Sequence, residues 1–251
     1  MLDILHDYGV LLLIGQYPAG PLGGIAMTLI MAIAALVIAF PVAILVALAR
    51  RSPIKAVARC AGAYVFCVRG IPVMLIIFWA YFVLPLVTGV KVTGPVTVVC
   101  ALVVYEGAYL AESIRGAIAS LPKGQTEAAR ALGLGYWKTQ YLVILPQALV
   151  NAIPSIMNQF VLIVKNTALA YLIGTQEVTF SANQINAQLL TEPFQVYIIL
   201  AAIYFVICFS LSRAAASLEN RIKKRRSGAG KSERSRSGSE SVGQSVTGSS
   251  T

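Results

Sequence analysis

Four polar side chains recur along an apolar run in the second half of the chain. They are Gln147, Asn151, Asn158 and Lys165, and because they lie four, seven and seven residues apart they share one face of a helix. An ionisable group at the depth of a membrane costs about 2.5–3.5 kcal/mol on insertion scales, so its presence needs a reason. Two reasons stay open: the side chains line a polar path, or they hydrogen-bond to neighbouring helices.

Further charged side chains lie in two other apolar runs. Arg69 is suited to pair with a carboxylate or a phosphate. Glu112 is expected to pair with Arg115, one helical turn later. Glu106 lies deeper in the same run and is expected either to pair with Arg69 or Lys165 or to contact a solute.

The sequence contains little that would support covalent chemistry. It has no HExxH or GxSxG motif. Gly230-Lys231-Ser232 imitates the end of a phosphate-binding loop, but Arg225 stands where that motif needs its first glycine. The cysteines have no metal-ligand spacing and fit as small hydrophobic residues: Cys60, Cys67, Cys100 and Cys208. These patterns predict binding without catalysis, and no metal or cofactor in this chain.

The composition indicates a membrane protein. Of 251 residues, 57% are hydrophobic and only 12% are charged, and the mean hydropathy is +0.76. The net charge of +10 would suggest nucleic acid as a partner of a soluble protein. Here the Lys and Arg residues cluster beside apolar runs, which is typical of side chains that orient a protein in a membrane. We therefore expect one all-α integral membrane domain that does not bind nucleic acid.

The apolar runs predict five transmembrane helices. They cover residues 22–49, 64–86, 92–119, 142–170 and 194–212, and the second is interrupted at residues 69–72 by Arg-Gly-Ile-Pro. Basic clusters follow the first and fifth runs, whereas the connections after the second and fourth contain almost no bases. By the positive-inside rule, the N-terminus should lie outside and the C-terminus in the cytoplasm.

Two terminal segments flank this predicted domain, which spans residues 22–219. Residues 1–21 carry no Lys or Arg and are expected to lie along the outer membrane interface. Residues 220–251 begin with a basic run that is suited to anionic lipid head groups. The chain then becomes rich in Ser and Gly, so the tail should be disordered.

The segment at residues 120–146, SLPKGQTEAARALGLGYWKTQYLVILP, is polar and lies between two apolar runs. Pro122 suits the first turn of a helix, and Gly133 and Gly135 should end it. A second short helix is expected from residue 136 until Pro146 limits it. Glu127 and Arg130 can pair on one face of the first helix, and a low apolar strip forms another, made of Ala128, Ala131 and Leu132. A helix of this shape fits the groove of another protein.

The sequence of this segment resembles the EAA signature of ABC-importer permeases. Glu127-Ala128-Ala129 is followed by Gly133 and, after nine intervening residues, by VILP at 143–146, with Val143 where the signature usually has Ile. The flanks are similar to the polar amino-acid subfamily, which includes histidine, glutamate, glutamine, arginine and opine permeases. They read AYLAE at 108–112, RGAI at 115–118, PKGQ at 122–125 and LPQA at 145–148. The resemblance covers residues 24–220 and implies a type I importer fold.

In that family the EAA segment docks into an ATPase subunit. The resemblance therefore implies a coupling role for Gln125, Glu127, Ala128, Ala129, Arg130, Leu132 and Gly133. Arg69 lies in a motif similar to the family's Arg-Gly-Thr-Pro, and Lys165 in one similar to Lys-Asp-Thr-Ser-Leu, although Asn166 and Ala168 depart from it. The predicted substrate path comprises Arg69, Glu112, Asn151, Asn158 and Lys165.

The resemblance also implies partners and a location. These are ABC ATPase subunits that carry ATP and Mg²⁺, a second permease subunit, and an extracytoplasmic amino-acid-binding protein, all assembled at the bacterial inner membrane. The alternative is a self-sufficient secondary transporter or channel for small polar solutes. Five spans without an evident inverted repeat argue against that alternative.

Overall fold

The computed structural model describes the backbone of residues 2–247 and the side chains of residues 3–221. Within residues 2–247 the secondary structure is helical, with one isolated bridge between Gly15 and Leu22. The α-helices are α1 (Leu2–Ile14), α2 (Gly24–Ala49), α3 (Lys55–Arg69), α4 (Val73–Phe78), α5 (Leu84–Thr88), α6 (Gly94–Ala119), α7 (Lys123–Ala131), α8 (Tyr136–Lys138), α9 (Leu145–Asn166), α10 (Val178–Leu189) and α11 (Pro193–Thr247). The prediction of an all-α fold is confirmed.

Among the described residues, four helical stretches are long and apolar enough to cross a membrane: Gly24–Ala49, Gly94–Ala119, Tyr136–Ile173 and Pro193–Arg221. A fifth crossing is possible only as a broken one, because Lys55–Arg69 and Val73–Thr88 meet at an angle of 102°. The predicted interruption of the second run at residues 69–72 is therefore confirmed, since the break lies between Arg69 and Val73. Pro72 has no backbone N–H and disfavours helical geometry at Ile71, so the chain turns there.

Helices α2 and α6 form the centre of the fold, and a stripe of alanines lets them approach closely. Ala35, Ala39, Ala43 and Ala47 recur every fourth residue of α2, and each is fully buried. The first joins a cluster with Leu102, and the others join one with residues of α6 and α9. In a membrane the hydrophobic effect does not drive helices together, so they associate through close van der Waals packing, which small residues permit.

The helix expected to stop at Pro146 continues through it. A π-helical turn at Thr139–Ile144 joins α8 to α9, so residues Tyr136–Ile173 form one long element. Pro146 lies in the first turn of α9, where its missing N–H is tolerated. The extra residue of the π turn interrupts the regular hydrogen-bond ladder just before the proline.

The connection after α9 also differs from the sequence prediction. It was expected to be a loop, but it contains a 3₁₀ turn at Thr167–Ile173 and the twelve-residue helix α10. Helix α10 packs against α1, α2 and α11. The side chains beyond residue 221 lie outside the described residues, so the disordered tail stays a prediction. The placement of residues 1–21 at the membrane interface stays one as well.

Candidate functional site

Helix α7 presents most of the predicted coupling residues on its surface. Gln125, Glu127, Ala128, Arg130, Leu132 and Gly133 are exposed, and Ala129 alone of the seven is buried. Leu132 is 84% exposed, although a leucine is normally covered. The ion pair between Glu127 and Arg130 is absent from the described part of the chain. Both charges are therefore available to a partner, whereas Ala129 packs against its own subunit.

The end of α7 is fixed by Gly133, as the sequence predicts. Its φ is +80°, a conformation that residues with a Cβ rarely adopt. The N–H of Gly133 donates to the carbonyl of Arg130 at 2.9 Å, and the N–H of Leu134 donates to that of Ala129 at 3.2 Å. These two bonds form a Schellman motif, which ends the helix and turns the chain sharply.

Helix α7 is joined to the membrane core at two points. Its Gln125 side chain accepts a hydrogen bond from Gln147 at 3.4 Å. Beyond α7, the hydroxyl of Tyr136 donates to the carbonyl of Arg51, just after the end of α2. The segment from α7 to α8 is therefore hydrogen-bonded both to α9 and to the residue that follows the end of α2.

Glu112 lies in an ion-pair cluster at this end of the protein. One carboxylate oxygen accepts from Arg50 and the other from Arg115, whose Nε and terminal nitrogen lie 3.1 and 2.5 Å away. The predicted pair with Arg115 is confirmed, and Arg50 is the partner that sequence reasoning missed. Because both oxygens are occupied by guanidinium groups, the geometry favours a structural link over contact with a solute.

Glu106 is fully buried and is held by two amides. Its oxygens accept from the side chain of Gln159 and from Asn166, the latter at 2.9 Å. The expected pairing with Arg69 or Lys165 is therefore wrong. Gln159 and Asn166 are seven residues apart on α9, one position along from the stripe found in the sequence. That spacing was a usable signal for a second polar face.

Arg69 lies at a cavity of about 520 Å³ at the bend after α3. Its guanidinium stacks over the ring of Tyr109, 5.0 Å from the centroid, and the Tyr109 hydroxyl lies 3.3 Å from that of Tyr105. Arg69 has no carboxylate partner among the described side chains. A cation beside an aromatic ring in an open cavity is suited to a carboxylate ligand.

The stripe on α9 is divided between two environments. Asn151 is half-buried, and its side-chain oxygen has no hydrogen-bond partner in the described part of the chain. Asn158 and Lys165 are exposed. Lys165 lies in a groove of about 350 Å³ between α9 and α11, lined in part by Tyr204. The lining residues of this groove and of the Arg69 cavity do not overlap, so the two cations are not brought into one pocket.

Glu177 forms a polar cluster near the other end of α2, and sequence reasoning missed it. The residue is fully buried and caps α10 by accepting from the N–H of Phe180 at 2.9 Å. Thr28 of α2 and Tyr204 of α11 donate to its second oxygen at 3.4 and 3.2 Å. Burial raises the pKa of this carboxyl to about 7. The cluster ties three helices together.

Residues 39–224 match the family described as "Binding-protein-dependent transport system inner membrane component". The chain belongs to this family. Together with its apolar helices, membership makes it a multi-pass bacterial inner-membrane permease subunit.

Relatives within the family are amino-acid permeases. The chain is 38% identical over 203 residues to the inner membrane amino-acid ABC transporter permease protein YhdY of Escherichia coli K12. The aligned region covers 79% of this chain but only 55% of YhdY. It is 34% identical over 200 residues to the probable glutamine ABC transporter permease protein GlnP of Bacillus subtilis 168, covering 79% of this chain and 91% of GlnP. The chain thus spans about half of YhdY and nearly all of GlnP.

Solved structures agree with this assignment. An amino acid ABC transporter with histidines superposes with a TM-score of 0.72 at 33% identity, covering 79% of this chain and 92% of that one. An inward-facing structure of the MetNI methionine ABC transporter superposes with a TM-score of 0.57 at 23% identity, which shows the fold alone. The prediction of a type I importer fold is confirmed.

Proposed function

We propose that this permease and a second permease subunit form the membrane path of an ATP-driven amino-acid importer. ATP and Mg²⁺ are held by separate ATPase subunits, and a binding protein delivers the amino acid from outside. The observation that carries the proposal is the exposed surface of α7, which presents an uncovered Leu132 at its end and, on another face, the charges of Glu127 and Arg130, which form no ion pair in the described part of the chain. A short helix that exposes both an apolar side chain and charges is typical of a surface that docks into a partner.

The proposed path uses side chains with free hydrogen-bonding capacity. Arg69 receives the carboxylate of the amino acid beside the ring of Tyr109. Asn158 and Lys165 are exposed on one face of α9, where they meet the path or the second subunit. Asn151 offers an unpartnered oxygen on the same helix. Glu112 is not proposed as a solute contact, because Arg50 and Arg115 occupy it.

An amino acid is the proposed solute class for two reasons. Arginine and lysine side chains suit a carboxylate, and the amide side chains suit its polar groups. GlnP and YhdY, which are similar to this chain, are named as glutamine and amino-acid permeases. ATP binding closes the ATPase pair, moves α7 and exposes the path alternately to the two sides of the membrane.

Purification from native membranes tests the proposal. The tagged chain is extracted in mild detergent, and the retained proteins are identified by mass spectrometry. We expect an ATPase in stoichiometric yield and, after reconstitution with the binding protein, uptake of radiolabelled glutamine or glutamate that requires ATP. Uptake by the chain alone, driven by an ion gradient and without an ATPase, would overturn the proposal in favour of a secondary transporter.

A further inference from the structure

A continuous set of contacts joins the coupling segment to the helical core. The hydroxyl of Tyr136, the first residue of α8, donates to the backbone carbonyl of Arg51. The preceding residue, Arg50, caps the end of α2 and donates to Glu112 on α6. Glu112 also accepts two hydrogen bonds from Arg115, one turn further along α6. The contacts thus lead from the segment after α7 to the ends of the two central helices.

We propose that Tyr136, Arg50 and Glu112 are positioning residues that transmit the movement of α7 to α2 and α6. This inference rests on the proposed function, since it assumes that α7 is moved by an ATPase. It assigns Glu112 a role in energy coupling in place of the substrate contact predicted from the sequence. The three residues touch neither solute nor ATP. They act by keeping the coupling segment and the core in a fixed position relative to each other.

The physical basis is the stiffness of the Glu112 ion pairs and of the helix packing beyond them. Hydrogen bonds between ionised groups are shorter and roughly twice as strong as neutral ones. Those of Glu112 are also sheltered, because the side chains of Arg50 and Glu112 are only 23% and 26% exposed. Beyond them, α2 and α6 pack through fully buried residues such as Ala43 and Ala108. Tightly packed helices move as rigid bodies, so a displacement at the end of α2 reaches the path.

Two conservative variants test the link, each with a measurement that a merely structural role would not change. Tyr136→Phe removes one hydroxyl, and Glu112→Gln removes one charge at nearly constant shape. In proteoliposomes that contain the purified complex, the uptake of radiolabelled glutamine and the hydrolysis of ATP are measured together. We expect uptake per ATP hydrolysed to fall about ten-fold or more, within the range of typical coupling energies, while the ATPase is retained at wild-type yield.

The matched control is Tyr141→Phe. The rings of Tyr141 and Tyr136 both lie against Trp137, but the hydroxyl of Tyr141 makes no hydrogen bond among the described side chains. This control should keep the wild-type ratio of uptake to hydrolysis. Because Tyr136 and Glu112 act in series, the double variant should be no worse than the poorer single one.

The outcomes separate the two proposals. If the wild-type complex retains no ATPase, the proposed function fails, and the proposed link fails with it. If the wild type is coupled but both variants keep its uptake per ATP, the link is refuted. A rise in the KM for glutamine with an unchanged maximal rate in Glu112→Gln would restore Glu112 to the substrate path and also refute the inference.

Discussion

At the scale of single residues, Glu177 and Lys165 are the two ionisable side chains whose surroundings raise the sharpest questions. Glu177 is fully buried among hydrogen-bond donors at the cluster with Thr28 and Tyr204. Lys165 is exposed in a groove lined by Val161 and Cys208. The first case bears on stability, because burial changes the cost of ionisation. The second bears on transport, because the charge is available to a ligand.

Glu177 should make the folded protein less stable as pH rises. Burial raises the pKa of its carboxyl from an ordinary value of 4.5 to about 7. Between these values the folded chain keeps a proton that the unfolded chain has lost. The free energy of unfolding should therefore fall by roughly 1–3 kcal/mol from pH 4.5 to pH 7 and then level off. Thermal unfolding in detergent at a series of pH values measures this.

Glu177→Gln is the variant that tests this assignment. It is uncharged at every pH and should lose that part of the pH dependence. Glu192→Gln, three residues beyond α10, serves as the matched control and should retain it. Among the described side chains, Tyr204 is the titratable group bonded to Glu177, so Tyr204→Phe checks for a contribution from that side. An unchanged pH profile in Glu177→Gln would contradict the burial argument.

Lys165→Met should impair uptake in a manner that depends on the carboxylate of the solute. The ammonium group is exposed on the α9 face, and a charged hydrogen bond is worth about 1.5–3 kcal/mol, so a loss of roughly ten-fold or more in kcat/KM is expected. Uptake is measured with glutamine and with its α-amide, and Lys91→Met, at an exposed position before α6, is the control. If wild type and Lys165→Met discriminate equally between the two solutes, Lys165 is not the carboxylate site.

At the scale of elements, the proposed coupling role belongs to α7 and its end. The helix exposes Leu132 and stops at Gly133, whose φ of +80° forms the Schellman turn. A Cβ at Gly133 would meet nothing within 4 Å. The obstacle to substitution is therefore the backbone conformation, or the surface of the partner, and not a clash within this chain.

Gly133→Asp should abolish ATP-driven uptake and weaken ATPase association, while the permease still inserts. A residue with a Cβ pays about 1–3 kcal/mol to hold this conformation, and the new charge would be desolvated at the interface. Pull-down of the ATPase and uptake in vesicles measure the two effects. The control is Gly133→Asn, because asparagine meets the same backbone conformation as aspartate and has its size without its charge. Normal uptake in Gly133→Asp would show that α7 is not the coupling helix.

At the scale of the whole molecule, the distribution of charge predicts the orientation in the membrane. Arg50 and Arg51 at the end of α2, and Arg213 in α11, lie at ends of membrane-crossing stretches, whereas the connection between α5 and α6 carries only Lys91. The positive-inside rule predicts that the basic ends are cytoplasmic. The bend of 102° between α3 and α4 leaves two arrangements for this pair, a broken span or a re-entrant loop. The two arrangements place the connection between α5 and α6 on opposite sides of the membrane.

Cysteine labelling from outside the cell should reach position 91 and miss position 55. Lys91→Cys and Lys55→Cys are placed in a background from which the four native cysteines have been removed, because three of these are exposed: Cys60, Cys67 and Cys100. A membrane-impermeant maleimide is applied to intact cells, and lysed cells provide the control. Labelling of both positions from the same side would contradict the five-span topology and indicate that the bent pair is re-entrant.

Features that depend on neighbouring residues could be predicted from the amino-acid sequence. Apolar runs without charge predicted α2 and α6 to within two residues of their ends, because crossing length and hydropathy are local properties. Gly133 predicted the end of α7 for a similar reason, since a left-handed turn is set by one residue and its two flanking hydrogen bonds. Helix α10 escaped prediction because its twelve residues are too short and too polar to resemble a span.

Only the tertiary structure decided which polar groups meet. Glu106 bonds to Gln159, 53 residues away, and Arg50 bonds to Glu112, 62 residues away. These choices follow from how α2, α6 and α9 pack, and that packing depends on side-chain volumes along whole helices, such as the alanine stripe of α2. A charge in a sequence shows that a partner is needed, because an unpaired buried charge is costly. The identity of that partner is settled by the helices that bring the two groups together.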